Sequence, residues 1–163
     1  LGDVYKRQDY IPLEDSIDLD KENFDIFKQD TSLLQTERCL EPNDFKVSSR
    51  SLRSNCRVTN QPDWGDIFIK IVGSQVPSKL SLLKYIISMR QENHFHEEIC
   101  EHVFKTLSDL LPCSKVLVAC LYTRRGGIDI NPIRINHKGF LNEASFLNSL
   151  LDLKTPFSKT FRQ

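Results

Sequence analysis

Three short stretches of this sequence hold residues able to do chemistry. Cys56 stands beside Arg57 and is followed seven residues later by Asp63, across a turn stiffened by Pro62. If the chain folds back there, thiol and carboxylate come within hydrogen-bonding reach, a nucleophile with an acid/base partner. On residue pattern alone, a buried structural Cys and an Asp that caps its own turn are the commoner outcome. His94-Phe-His-Glu-Glu98 opens a predicted helix. His94 and His96 are ligand types, but two residues apart they share a helical face badly and no second cluster completes a site, so no metal is expected. The ordinary role of Glu97 and Glu98 there is to complement the helix dipole, worth about 0.3–1 kcal/mol each. Arg124-Arg-Gly-Gly127 offers two guanidiniums and open backbone N–H groups, suited to a phosphate or to a plain basic turn.

Those residues need a scaffold. Cys56–Thr59 reads as a short strand, Asn60–Gly65 as a turn and the β-rich Ile67–Val72 as a second strand, giving two antiparallel strands about an ordered corner. Residues 35–55 read as irregular chain with one strand around Phe45–Val47. Ser78, after Pro77, predicts a helix start, and Leu80, Leu83, Ile87 with Leu82 and Ile86 recur at helical spacing up to Arg90. A second helix carries the stripe Phe95, Ile99, Val103, Leu107 and Leu110 or Leu111, and Pro112 stops it. Lys115–Tyr122 is a strand by composition, and Ile128, Ile130, Ile133 and Ile135 continue as a broken one. The order is β, β, α, α, β, β. Upstream, Ile17, Leu19, Phe24 and Ile26 alternate as a short hairpin would, inside a flank whose first 30 residues hold nine acidic and four basic side chains. A weak helix over Asn142–Leu153 and a basic tail follow His137.

Composition bounds what this scaffold can be. The 163 residues suffice for one core, with 22 Lys plus Arg against 22 Asp plus Glu, so no global basic field exists to hold a nucleic acid. Five Cys with no CxxC pair argue against a disulfide framework and for a reducing cytoplasm. No apolar run approaches the ~20 residues of a membrane-spanning helix, so no membrane partner is expected. Walker loop, dinucleotide fingerprint and internal repeat are all missing. Leu1–Gln8 joins awkwardly onto the acidic flank and is read as a non-native segment, with a module over 9–137 and a tail over 138–163.

Read together, Ser54-Asn-Cys56, Gln61-Pro-Asp-Trp-Gly65, Phe95-His-Glu97 and Tyr122-Thr-Arg-Arg-Gly-Gly-Ile-Asp-Ile-Asn-Pro132 resemble the C-terminal half of the two-module form of the QueF family, the 7-cyano-7-deazaguanine reductases. The resemblance implies an α+β tunnelling fold: an antiparallel sheet with two consecutive helices packed on one face, modules assembling into barrels with active sites between them. It implies that Cys56 attacks the substrate nitrile to give a thioimide, that Asp63 moves the proton and that His96 sits beside the reacting centre. Glu97 would bind the deazapurine edge, Phe95 would cover the base, and Arg124 and Arg125 would hold phosphates of NADPH, which supplies the hydrides. The family's cofactor-associated Glu-Ser-Lys-Ser-like stretch is nowhere in the sequence, so an N-terminal module or a homo-oligomer is the partner implied. Two other readings compete. One is a tunnelling-fold amidinotransferase that adds ammonia to the same nitrile on tRNA; the other is a non-catalytic module that only binds substrate or assembles.

Overall fold

The computed structural model describes residues 9–142. The order β, β, α, α, β, β is present, preceded by one short strand. β1 (Ile11–Pro12) pairs in parallel with β2 (Thr36–Asn55); β2 with β3 (Pro62–Pro77), β3 with β4 (Lys115–Tyr122) and β4 with β5 (Ile133–Ile135) are antiparallel, so spatial order follows chain order. Between β3 and β4 lie α1 (Lys79–Ser88) and α2 (His96–Leu110).

Strand alternation assigns the two faces of this sheet. Ile67, Ile69 and Ile71 of β3 and Val116, Val118, Cys120 and Tyr122 of β4 pack into one cluster with Leu82, Leu83 and Ile86 of α1 and Ile99, Val103 and Leu107 of α2. Phe68, Leu117, Ala119 and Leu121 face the other way, against Tyr10 and Phe140. Both helices therefore lie on one face of an antiparallel sheet, as the resemblance implies. The Ser78 hydroxyl caps α1 by accepting the Ser81 N–H at 3.3 Å. α2 ends where Leu111 bonds back to Leu107, one residue before Pro112. No described helix is long and apolar enough to cross a membrane.

Three local expectations are corrected. Residues 17–26 form no hairpin: the segment follows a short 3-10 turn at Glu14–Ser16 and contains another at Leu19–Lys21, and Ile17, Phe24 and Phe27 pack on the helix-side core. Its alternating pattern serves a wrap over that core instead of a sheet. Residues 36–55 are one long strand, read as loop because Pro42 and the Ser-rich run fall at its register shifts, between Arg38 and Asn43 and between Ser49 and Leu52. At the second shift the Glu14 carboxylate accepts from the Ser49 and Ser51 hydroxyls and the Arg50 N–H, supplying partners that the ladder does not. Cys56–Thr59 is a turn, not a strand, and Pro62–Gly65 is strand, so the corner lies earlier than expected. Phe140 sits in a 3-10 turn where the His137 ring accepts the Gly139 N–H, and the packed unit continues to it. Leu1–Gln8, and the expected helix beyond Asn142, lie outside the described residues.

Candidate active site

Cys56 is the first residue past β2, and its turn is closed by backbone bonds from the Cys56 N–H to Gln61 and from the Asn60 N–H to Cys56. Asn60 takes the left-handed conformation the turn needs (φ 57°), which Asn tolerates better than most residues. Inside the turn the Thr59 hydroxyl, and then the N–H groups of Thr59 and Val58, hold the Cys56 thiol below its usual range; partial burial and the Asp63 charge push the other way. Thiolate is the reactive form, so the turn favours a nucleophile. The sulfur is partly accessible, whereas Cys100 and Cys120 are buried, and burial raises the Cys120 thiol well above the ordinary value.

Asp63 lies directly across from Ser54 in the β2–β3 ladder, and its side chain is only 2% exposed. A buried carboxylate needs partners, and it has two. Oδ2 stands 3.3 Å from His96 Nε2, and Oδ1 stands 2.5 Å from Arg125 Nε. The second approach is off the N–H axis, an ion pair more than an aligned hydrogen bond, which leaves Oδ1 able to accept another proton donor. His96, in the first turn of α2, is stacked on Tyr122, ring centroids 3.9 Å apart and planes 6° apart. A Cβ on Gly65 would come within 3.1 Å of that phenol ring, so glycine is what lets Tyr122 lie there. Its hydroxyl faces Ser54 Oγ without satisfying either group, and burial raises the phenol well above its usual value. Ser54 Oγ, Tyr122 Oη and His96 Nδ1 are all buried without a satisfied hydrogen bond, the kind of shortfall that marks a functional site more often than a structural one.

Glu97, next along α2, is exposed, and among the described residues no hydrogen bond or ion pair engages its carboxylate. Phe95 is 45% exposed, with the Arg57 guanidinium 5.2 Å from its ring centre. Glu98 does more than complement a helix dipole. It accepts the Phe95 N–H at 2.8 Å and pairs with Arg57 at 2.9 Å, so it ties the Cys56 turn to the start of α2. The Phe95 N–H, and then the Arg57 and His94 charges, hold its carboxyl below the usual value. Backbone bonds from Asn55 to Glu92 and from His94 to Asn55 join the same two segments.

The two arginines of the β4–β5 connection are occupied. Arg124 makes a two-pronged pair with Asp129, and Arg125 reaches Asp63, Thr59, Gln61 and Pro62. Gly126 and Gly127, at φ 55° and 82°, make the tight reversal that sends Arg125 back towards β3. In this structure both guanidiniums are engaged by protein groups, so a cofactor phosphate would have to displace Asp129 from Arg124 or share Arg125 with Asp63. Cys56, Asp63, His96 and Arg125 come together in space; Glu97 and Phe95 stand at the rim, and Arg124 faces away into its own loop pair. Ser54, Thr59 and Tyr122 belong to the cluster and were not singled out from the sequence: only the strand register brings Ser54 and Tyr122 there, and Thr59 lies in a turn that the sequence pattern reads as strand. Among the described residues no group of three His, Cys, Asp or Glu is placed to hold a metal.

An antiparallel sheet with two helices on one face, carrying an activated turn thiol beside a buried Asp–His pair, defines a thiol-bearing module of the tunnelling fold. Residues 62–139 match the family described as QueF-like protein. The chain belongs to the QueF family. It is 43% identical over 113 residues to the NADPH-dependent 7-cyano-7-deazaguanine reductase of Cupriavidus metallidurans, 47% over 107 residues to that of Acinetobacter baumannii and 44% over 111 residues to that of Psychrobacter arcticus. These matches cover 69%, 66% and 66% of the chain but only 40%, 39% and 39% of the relatives' own length. Among solved structures, the apo form of the archaeosine synthase QueF-Like aligns with a TM-score of 0.50 at 15% identity, covering 60% of this chain and 95% of that one, a likeness of fold.

Proposed function

We propose that residues 9–137 form the nucleophile-bearing module of an NADPH-dependent 7-cyano-7-deazaguanine reductase. The observation that carries this reading is the Cys56 thiol, lowered by its own turn and set beside the buried Asp63–His96 pair, in a chain 43–47% identical to such reductases. In the first step the Cys56 thiol gives its proton to Asp63 and the sulfur bonds to the nitrile carbon. One C–N π pair moves to nitrogen, which takes a proton back from Asp63, so thiol plus nitrile becomes a thioimide with no change in oxidation state. His96, fixed by Tyr122, orients the carboxylate. Glu97 suits a substrate that presents two parallel N–H groups, as the edge of a 7-deazaguanine does. Phe95 offers an apolar surface to the base.

Reduction of the nitrile to an aminomethyl group needs hydride, which the relatives' name assigns to NADPH. Arg124 and Arg125, expected to hold its phosphates, are engaged here by Asp129 and Asp63, pairs that a phosphate would have to displace or share. The partner we propose is the remainder of the reductase, as a second module or a second copy. Incubation with 7-cyano-7-deazaguanine followed by intact-mass measurement tests the reading: the chain should gain the mass of one nitrile molecule, and Cys56→Ala should gain nothing. Adduct on Cys100 or Cys120 instead would remove Cys56 from the role.

A further inference from the structure

We propose that Arg125 is a positioning residue for Cys56, acting through Asp63 and Thr59 together. The first arm is its Nε, 2.5 Å from Asp63 Oδ1, which offsets the carboxylate charge that disfavours a thiolate at Cys56. The second arm is Nη1, which donates to Thr59 Oγ1 at 3.4 Å and to Gln61 Oε1 at 3.2 Å, while Nη2 donates to the Pro62 carbonyl at 3.2 Å. A hydroxyl that accepts from a guanidinium on its lone pair is left to donate its own proton elsewhere, and the Thr59 hydroxyl is the group that does most to hold the Cys56 thiol down. One side chain thus braces the Cys56 turn through Thr59, Gln61 and Pro62 and offsets Asp63. A lysine could keep the charge but not both contacts, because a single ammonium lacks the planar fork.

The charged and titratable groups around the sulfur come from every packed element: Arg57 in the turn, Asp63 on β3, His94 and the first-turn residues His96, Glu97 and Glu98 of α2, and Arg125 after β4. Among the described residues, Arg125 alone joins Thr59 to Asp63 directly. That this arrangement serves addition to a nitrile rests on the function proposed above; its effect on the thiol does not.

The test reads the thiol with iodoacetamide, which needs no nitrile, across a pH series. Peptide mapping by mass spectrometry follows Cys56 apart from Cys39 and Cys113. Arg125→Gln should move the Cys56 alkylation midpoint to higher pH by about half a unit or more, a threefold or greater loss of rate below the midpoint. In an Asp63→Asn background the same substitution should shift it by less than half as much. Arg125→Lys should shift it less than Arg125→Gln but still upward, and it decides the matter should the Gln variant fail to melt cooperatively. A wild-type midpoint in a folded Arg125→Gln or Arg125→Lys protein, or a shift undiminished by Asp63→Asn, would overturn the proposal. Normal alkylation behaviour with no nitrile adduct in the parent chain would count against the function and leave this role standing.

Discussion

The His96 imidazole lies flat on the Tyr122 phenol, 3.9 Å between centroids, and that contact decides where its Nε2 points. β4 and α2 meet at this stack. With the ring plane set, Nε2 reaches Asp63 Oδ2, and Nδ1 is left buried without a hydrogen bond of its own. The ring of Tyr122 rather than its hydroxyl does this, since the hydroxyl satisfies no partner.

Tyr122→Phe should therefore stay within about 0.5 kcal/mol of the parent in urea unfolding, because a buried hydroxyl with no satisfied bond contributes little or costs stability. Tyr122→Ala should lose about 3–5 kcal/mol, the usual cost of deleting a buried aromatic ring. If the Phe variant lost 2 kcal/mol, the hydroxyl would have a partner in the folded protein and the stacking argument would need revision.

Thr59→Val keeps the shape of the turn and removes the hydroxyl that does most to hold the Cys56 thiol below its usual value. The alkylation midpoint of Cys56 should rise towards that of an ordinary thiol, so at pH 7 labelling slows while the fully deprotonated rate at high pH is nearly unchanged. An unshifted midpoint would mean that the backbone N–H groups of Val58 and Thr59 suffice.

How far such roles can be read from sequence depends on how local their causes are. β4 was legible to the residue, because Lys115–Tyr122 is a continuous apolar run whose neighbours on both sides change character, and α1 was legible from the Ser78 cap. β2 was not, because its polar residues are satisfied by Glu14, more than thirty positions away. The site divides along the same line. Cys56 and Asp63 announce themselves across one turn, whereas Tyr122 reads as plain core until the β3–β4 register sets it opposite Gly65 and under His96. Arg125 reads as a phosphate ligand, and its contact with Asp63 shows only once the Gly126–Gly127 reversal turns it back towards β3.

Glu97 and Glu98 are adjacent but should separate cleanly on substitution. Glu97→Gln should weaken binding of 7-cyano-7-deazaguanine tenfold or more in a titration, the loss expected when a charge-assisted pair gives up about 1.5 kcal/mol or more, with melting unchanged. Glu98→Gln should act on stability, with a pH dependence set by its lowered carboxyl. A carboxylate lowered in the fold stabilises fully above its ordinary value of 4.5, and that contribution fades as pH falls through the lower folded value. Melting curves of parent and Glu98→Gln should then differ most above pH 5 and converge in stronger acid. A constant difference down to pH 3 would show that the carboxylate charge is not what ties Phe95 and Arg57.

The engaged state of Arg124 and Arg125 leads to an expectation about turnover. Hydride transfer requires the nicotinamide within about 3–3.5 Å of the reacting carbon, and in this structure both arginines are held by Asp129 and Asp63. The chain by itself should form the Cys56 adduct while the reduced-nicotinamide absorbance stays flat, and Arg124→Ala should alter neither. Supplying the remaining module of a family reductase should start NADPH consumption, limited by association of the two parts. Steady oxidation by this chain alone, lost in both Cys56→Ala and Arg124→Ala, would show that the Arg124–Asp129 pair opens to take the cofactor.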